Sequence, residues 1–291
     1  MRRWWRRQYE ARRMLLGQVR LEIISDGTFW LDGGAHFGVV PRILWEKIIA
    51  PDDLNRVPMA LNCLIIESQG KKILVDTGVG DKLSAKRREI LNLKRQKGLV
   101  ENLRDKGVEP KEIAVVINTH LHADHCGGNT REEAGRAIPT FPHAEYWVQE
   151  GEWEAAHHLN ERTRGAYFPE NFNPLQEGGK LRLIKGDTPI TSEVRSILTP
   201  GHTRTHQSVM IESGGKKALY LGDLAPWAVN IERLAWLPAA DIEPLVNIET
   251  KRRIREWALE EEVLLIFEHD PHIKAGYLRR VGNEFRVEVV I

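Results

Sequence analysis

Apolar and polar residues alternate along 19–25 with the period of two that marks a half-buried strand, and Asp26-Gly27 supplies a tight turn into a second run, Thr28-Phe29-Trp30-Leu31. The glycine-rich stretch from Asp32 to Gly38 reads as a loop, and Pro41 is placed to open a short helix through Trp45. Runs 61–67 and 72–75 read as a strand pair joined by Ser68-Gln69-Gly70-Lys71 and ending in Asp76-Thr77-Gly78. Scattered apolar positions in a basic stretch predict one helix over 84–106 with a solvated face. The continuous run 113–117 predicts a buried strand, followed by a strand at 144–149 and a helix at 151–159. Residues 160–179 form a loop long enough to bind something, with Tyr167, Phe168 and Phe172 as candidate cleft walls. Strand patterns recur at 181–184, 194–198, 208–211 and 218–221. A helix at 243–259, a strand at 263–267 and a hairpin of 276–281 with 284–290 complete the chain.

Length and composition narrow the function classes. The 291 residues, 42% of them hydrophobic, suffice for a large core, and a single domain over 18–291 behind a basic extension at 1–17 is the expected organisation. In that extension six arginines surround Trp4, Trp5 and Tyr9, without the apolar segment of a secretory signal; the tryptophans invite a test for a homodimer. A net charge of +1 leaves no basic field for nucleic acid, and the basic side chains of 84–106 alternate with acids rather than with stacking aromatics. Two cysteines, Cys63 and Cys126, make no disulfide framework, so a cytoplasmic location is the default expectation. No apolar run approaches the ~20 residues of a membrane span.

The chemistry concentrates where the 113–117 strand ends. His120-Leu121-His122-Ala123-Asp124-His125 puts four donors in six residues, and Cys126-Gly127-Gly128 follows. Imidazole and carboxylate together suit zinc, while iron, cobalt and manganese accept the same set. His120, His122 and Asp124 share one parity if the chain is still extended; His125 needs a turn, which the glycines permit. Three further donors, His202, Asp223 and His269, each follow another apolar strand, as does Asp76, a candidate partner behind the donors. Seven donors exceed the needs of one tetrahedral ion. Two divalent ions account for them: His120, His122 and His202 on one, Asp124, His125 and His269 on the other, Asp223 bridging. Such a pair can share a hydroxide and polarise a carbonyl or phosphoryl oxygen, so the implied reaction is hydrolysis. His36 and His206 are candidates to support the site; His143, His157, His158 and His272 are taken as ordinary.

These donors, in this order, resemble the metallo-β-lactamase fold superfamily. The resemblance implies an α/β fold, a four-layer αβ/βα sandwich with a dinuclear site at one edge of its sheets. The stretch Asp32 to Pro41, Leu44-Trp45 and Asp223-Leu224-Ala225-Pro226 look like the YtnP-like quorum-quenching lactonases, which implies a small-molecule lactone or ester substrate, N-acyl homoserine lactone first. In that reading a hydroxide between the metals attacks the carbonyl and Asp124 handles the leaving-group proton. Phe29, Trp30, Phe37 and Trp227 are the candidate apolar pocket. Better-known homoserine lactonases place a tyrosine soon after the bridging aspartate, where this chain has Leu224, Ala225, Pro226 and Trp227; a true β-lactamase would carry cysteine at Asp223. Phosphotriester, aryl ester and thioester hydrolysis are the alternatives on the same metal pair. An iron-dependent oxygenase and a non-catalytic metal- or partner-binding module stand further off.

Overall fold

The computed structural model describes residues 14–291, and among them the strands in chain order are β1 (Met14–Leu16), β2 (Val19–Asp32), β3 (Arg56–Ser68), β4 (Lys71–Val75), β5 (Ile113–Ile117), β6 (Thr130–Glu133), β7 (Arg136–Pro139), β8 (Glu145–Gln149), β9 (Leu181–Ile184), β10 (Thr188–Pro189), β11 (Val194–Leu198), β12 (Gln207–Ser213), β13 (Lys216–Tyr220), β14 (Leu264–Ile266), β15 (Ala275–Val281) and β16 (Glu284–Val289). One sheet runs β1-β2-β3-β4-β5-β8-β9, a second runs β10 to β16 without β-order changes, and β6 with β7 forms a ribbon. The helices are α1 (Gly33–Phe37), α2 (Arg42–Trp45), α3 (Ala85–Ile90), α4 (Leu99–Asp105), α5 (Ala123–Cys126), α6 (Glu150–His157), α7 (Asn173–Glu177), α8 (Ala228–Glu232) and α9 (Pro244–Glu260).

Strand parity builds the layers. Leu64, Ile66, Val75 and Ile117 of the first sheet meet Val209, Ile211, Tyr220 and Ile266 of the second in one buried cluster. The opposite face of the first sheet, with Cys63, Ile65 and Val116, is covered by Leu103 of α4, Ala156 of α6 and Leu175 of α7. The outer face of the second sheet, with Met210, Leu219 and Leu265, is covered by Ile231 of α8 and Ile254 and Ala258 of α9. The result is a four-layer αβ/βα sandwich. Tyr220 pins the two sheets together, its hydroxyl donating to the Asn62 carbonyl at 2.9 Å. Parallel pairing of β4, β5, β8 and β9, and of β13 with β14, sends their C-terminal ends towards one edge.

Several local expectations are corrected. Residues 14–16 are not part of an extension: Leu16 pairs with Val19, so β1 is an edge strand of the first sheet. Residues 1–13, including Trp4 and Trp5, lie outside the described residues. Asp26-Gly27 is a bulge within β2 rather than a turn, the register shifting between Ser25 and Thr28. That bulge buries Asp26, which accepts from Leu99 N at 2.8 Å and Gly80 N at 3.1 Å and pairs with Arg95 at 2.9 Å. Bringing Arg95 to a buried carboxylate is why the helix expected over 84–106 is two, α3 and α4. Between them, Lys94 and Thr28 exchange backbone hydrogen bonds at 2.8 and 2.9 Å, and Asn92 adopts a positive φ of 45°. The glycine-rich loop after β2 coils into α1, capped by Asp32, and the 160–179 loop contains α7.

Candidate metal centre

The seven predicted donors converge at the sheet edge. His120, His122, Asp124 and His125 follow β5, His202 follows β11, Asp223 follows β13 and His269 follows β14. Gly127 lets the first of these loops lie flat on its neighbour, because a Cβ there would stand 2.3 Å from the Val79 carbonyl oxygen.

Four donor groups form among the described residues, one of them Asp76, His125 and Glu268. Ligand atoms of His120, His122 and His202 lie within 4.8 Å of one another, as do those of His120, His125 and Asp223, and those of Asp124, His125 and His269. His202 Nε2 is 3.0 Å from His122 Nδ1, and His269 Nε2 is 3.1 Å from His125 Nε2. Asp223 stands between the groups: its Oδ2 is 3.2 Å from His202 Nε2 and 3.5 Å from His125 Nε2, while its Oδ1 is 3.2 Å from His269 Nε2. Asp124 Oδ2 lies 3.8 Å from His125 and 3.7 Å from His269. His120, His122 and His202 thus fall in one group and Asp124, His125 and His269 in another, while His120 and His125 also share a group with Asp223.

A carbonyl or hydroxyl holds the far nitrogen of two rings, and carboxylates hold it in two more. His269 Nδ1 donates to the Ala60 carbonyl at 2.7 Å, leaving Nε2 as the lone-pair nitrogen. Thr119 Oγ1 is 3.0 Å from His120 Nδ1 and donates to Asp76 at 2.7 Å. His202 Nδ1 is 2.9 Å from Asp241 Oδ1, and His125 Nδ1 is 3.1 Å from Asp76 and 2.9 Å from Glu268. Asp76 thus takes the expected supporting place. His206 does also: its Nε2 accepts from Asp223 N at 3.1 Å, which fixes the loop that carries the central carboxylate.

Asp241, Glu268 and Glu152 were missed by sequence reasoning. Glu152, in the first turn of α6 and 1% exposed, accepts from Leu121 N at 3.0 Å, Tyr167 Oη at 2.9 Å and Thr203 Oγ1 at 2.7 Å. It clamps the loop of His120 and His122 to the loop of His202. The only signal in the sequence was its position one residue before Trp153 on a helix whose apolar face turns inward.

Burial and neighbouring imidazoles hold His120 and His122 well below the ordinary histidine range. Burial acts in the same direction on His125, His202 and His269, but carboxylates outweigh it. Asp223 and Glu268 raise His269 to about 9; Glu268, Asp223 and Asp124 raise His125; Asp223 and Asp241 raise His202. Against its own burial, Asp223 is held well below the usual carboxylate range by His125, His202 and His269. Burial and the nearby Asp76 push Glu268 up to about 8.

The residues fit cations. His120 Nε2 and Asp223 Oδ1 are buried with no hydrogen-bond partner, and two pairs of ring nitrogens face each other at 3.0–3.1 Å. Buried polar atoms are normally satisfied; one divalent cation among His120, His122 and His202 and another among Asp124, His125 and His269, with Asp223 close to both, would satisfy them.

A cavity of about 480 Å³ opens onto these donors. Phe29 and Phe168 line it, with Leu31, Met59, Val79 and Leu91. The five other predicted wall residues do not line it. Trp30 points to the opposite side of β2 from Phe29 and Leu31 by strand alternation. Phe37 and Trp227 pack in a buried aromatic cluster with Trp45 and Trp236, behind the cavity. Phe172 is fully buried under the first sheet, and Tyr167 packs edge-on against His122, ring centroids 4.8 Å apart.

Comparison with known proteins agrees with this geometry. The Metallo-beta-lactamase superfamily model matches residues 56–275. An N-acyl homoserine lactonase of a Bacillus species is 28% identical over 244 residues, covering 79% of this chain and 88% of that protein. A probable metal-dependent hydrolase from Staphylococcus aureus superposes with a TM-score of 0.85 at 26% identity, over 96% of this chain and 100% of the other. AidC, a dizinc quorum-quenching lactonase in complex with a product, superposes with a TM-score of 0.77 over 96% of each chain; at 21% identity the likeness is one of fold.

Proposed function

Since this chain belongs to the metallo-beta-lactamase superfamily and is a metal-dependent hydrolase, we propose that it opens lactone rings, with N-acyl homoserine lactones as substrates. The observation that carries the reading is the cavity: one end holds the polar donors and the remainder is walled by Phe29, Leu31, Met59, Val79, Leu83 and Leu91. A molecule with a hydrolysable polar head and a flexible apolar chain matches both ends. The curated relative at 28% identity carries the lactonase name.

In this proposal His120, His122 and His202 hold one divalent ion, Asp124, His125 and His269 hold another, and Asp223 lies between them. Zinc is the first choice for both. When bound, such a pair supplies a water acidified towards neutral pH and an electrophile for the carbonyl oxygen. The chain does the rest. Asp124, 29% exposed where Asp223 is 11%, lines the cavity and is the carboxylate that would take the proton given up by the attacking water and pass it to the leaving alkoxide. The apolar wall excludes water and fixes the chain, so that the carbonyl is held against the donors. Asp241 and the Ala60 carbonyl keep two of the donor rings in the tautomer that presents Nε2. The two sheets share one core, which supports reading them and their helices as one catalytic domain.

The test is turnover of N-hexanoyl and N-decanoyl homoserine lactone by zinc-loaded protein, followed by acid release, beside an aryl phosphotriester and a thioester. Lactone opening is expected to exceed the others in kcat/KM, with about two zinc ions per chain. Lactone turnover at background removes the proposal, and preferential phosphotriester or thioester turnover reassigns the substrate.

A further inference from the structure

His36 sits where the sequence alone gave it no definite task. It lies on α1, whose position leaves little room for adjustment. Asp32 Oδ1 caps the helix, accepting from Gly34 N at 2.8 Å and Ala35 N at 3.1 Å, and Asp32 Oδ2 accepts from Asn55 at 3.0 Å. At Gly33 a Cβ would come within 2.4 Å of the Trp45 ring, so the helix is seated directly on that indole. The imidazole is then packed at ring-centroid distances of 4.3 Å from Trp227 and 4.6 Å from Phe37. It is 1% exposed, yet it lines the same cavity as Asp223 and His269.

Its Nε2 is buried with no hydrogen-bond partner. Leaving such an atom unpaired costs about 1–3 kcal/mol, a cost that a fold retains where another molecule supplies the missing partner. His36 belongs to none of the donor groups found among the described residues. Burial and the neighbouring His269 lower it to about 3, so the ring is neutral and carries one donor and one acceptor. Apart from the donor set, the polar side chains lining this cavity among the described residues are His36 and Arg87, and Arg87 is exposed with its guanidinium 3.8 Å from the Phe168 ring centroid. The remaining wall is apolar. His36 lines this cavity together with the donors, so it and Arg87 are the side chains outside the donor set that can meet a second polar group of a bound substrate.

We propose that His36 is a specificity-determining residue whose imidazole hydrogen-bonds the amide joining acyl chain to lactone ring. The proposal rests on the lactonase reading and deepens it: this chain selects acyl-amide lactones over plain alkyl lactones of the same length.

The test compares zinc-loaded wild type, His36→Phe and His36→Gln on N-decanoyl homoserine lactone and on an alkyl lactone of matched chain length that lacks the amide. Phenylalanine preserves the stacking on Trp227, and circular dichroism with zinc content shows that each variant is folded and loaded. His36→Phe is expected to lower kcat/KM on the amide substrate about tenfold, the worth of one hydrogen bond, and to change the alkyl lactone less than threefold. His36→Gln should restore most of the loss. Equal losses on both lactones, or no loss on either, overturn the proposal. If wild type opens neither lactone, the lactonase reading fails and this assignment falls with it, a result distinct from a variant that loses both. Should both variants misfold, the wild-type preference decides: a kcat/KM ratio near one between the two lactones overturns the assignment.

Discussion

Replacing Glu152 isolates the clamp that holds two donor loops together. Its Oε1 accepts from both Leu121 N and Tyr167 Oη, and its Oε2 accepts from Thr203 Oγ1. Glu152→Ala deletes three hydrogen bonds to a buried carboxylate and leaves three donors without partners. Hydrogen bonds to charged groups are worth about 1.5–3 kcal/mol each; after the relieved burial of the carboxylate is set against them, the expected loss is about 3–5 kcal/mol. At roughly 2–4 °C per kcal/mol for a chain of this size, the melting temperature should fall by about 6–20 °C. Glu152→Gln is the informative control. Its amide oxygen can take the Oε1 position and keep two bonds, while the amide nitrogen faces Thr203, whose hydroxyl can turn and accept. That variant should cost no more than about 1 kcal/mol. Because Leu121 separates His120 from His122 and Thr203 follows His202, the alanine variant should also lose roughly 10–100-fold in zinc affinity, read by chelator competition. Thermal unfolding of all three proteins with a zinc titration decides the matter. If glutamine costs as much as alanine, the carboxylate acts through its charge, and the clamp argument is refuted.

Other consequences are equally direct. Asp241→Asn exchanges the acceptor on His202 Nδ1, now at 2.9 Å, for an amide, and zinc affinity measured by chelator competition should fall at least about tenfold with the fold intact. Lys251 is fully buried, donates to the Asn230 and Trp236 carbonyls at 2.9 and 3.0 Å, and is lowered by burial to about 7. The unfolded chain therefore binds more protons between about pH 7 and 10.5, so stability must rise with pH there, and the wild-type advantage over Lys251→Met in chemical unfolding should grow by roughly 2–3 kcal/mol from pH 7.5 to 9.5; a flat difference would show an unshifted lysine. Gly127 has helical φ, so Gly127→Ala tests close approach alone, and the contact at 2.3 Å from Val79 O should cost about 3 kcal/mol or more. Gly70→Ala, with open space and φ of 75°, should cost only about 1–2 kcal/mol, and equal losses in the two would disprove the steric account.

What could be read in advance divides along a physical line. The strands were legible because each buries its alternate residues on one of two faces, and Leu64 and Ile66 against Cys63 and Ile65 show that parity in the folded chain. The seven residues proposed as donors were legible as candidates because histidine and aspartate immediately after buried strands have few structural reasons to be there. Their supports were not: Asp241 lies in a Pro-Ala-Ala-Asp stretch that reads as surface, and nothing local tells a carboxylate that it will meet His202. The bulge at Asp26 was not legible either: it buries the carboxylate that Arg95 meets, and the 84–106 helix is split there. Phe29 and Trp30 are neighbours on one strand, so only one of them can face the cavity.

The same division separates the reaction from its substrate. The donors come from four strand ends whose positions follow from the sheets, so the polar half of the site is fixed by the deepest part of the fold. The apolar half draws Phe29 and Leu31 from β2 and Met59 from β3, but also side chains of the loop after β4, of α3 and its flanks, of α1 and of the loop before α7, elements whose course depends on a helix cap and single side chains. Chemistry on a rigid edge and recognition on adaptable loops can change independently. In this chain His36, whose Nε2 is buried without a partner, lines the cavity together with the donor set, and comparing amide and alkyl lactones across its variants tests whether the two halves are coupled.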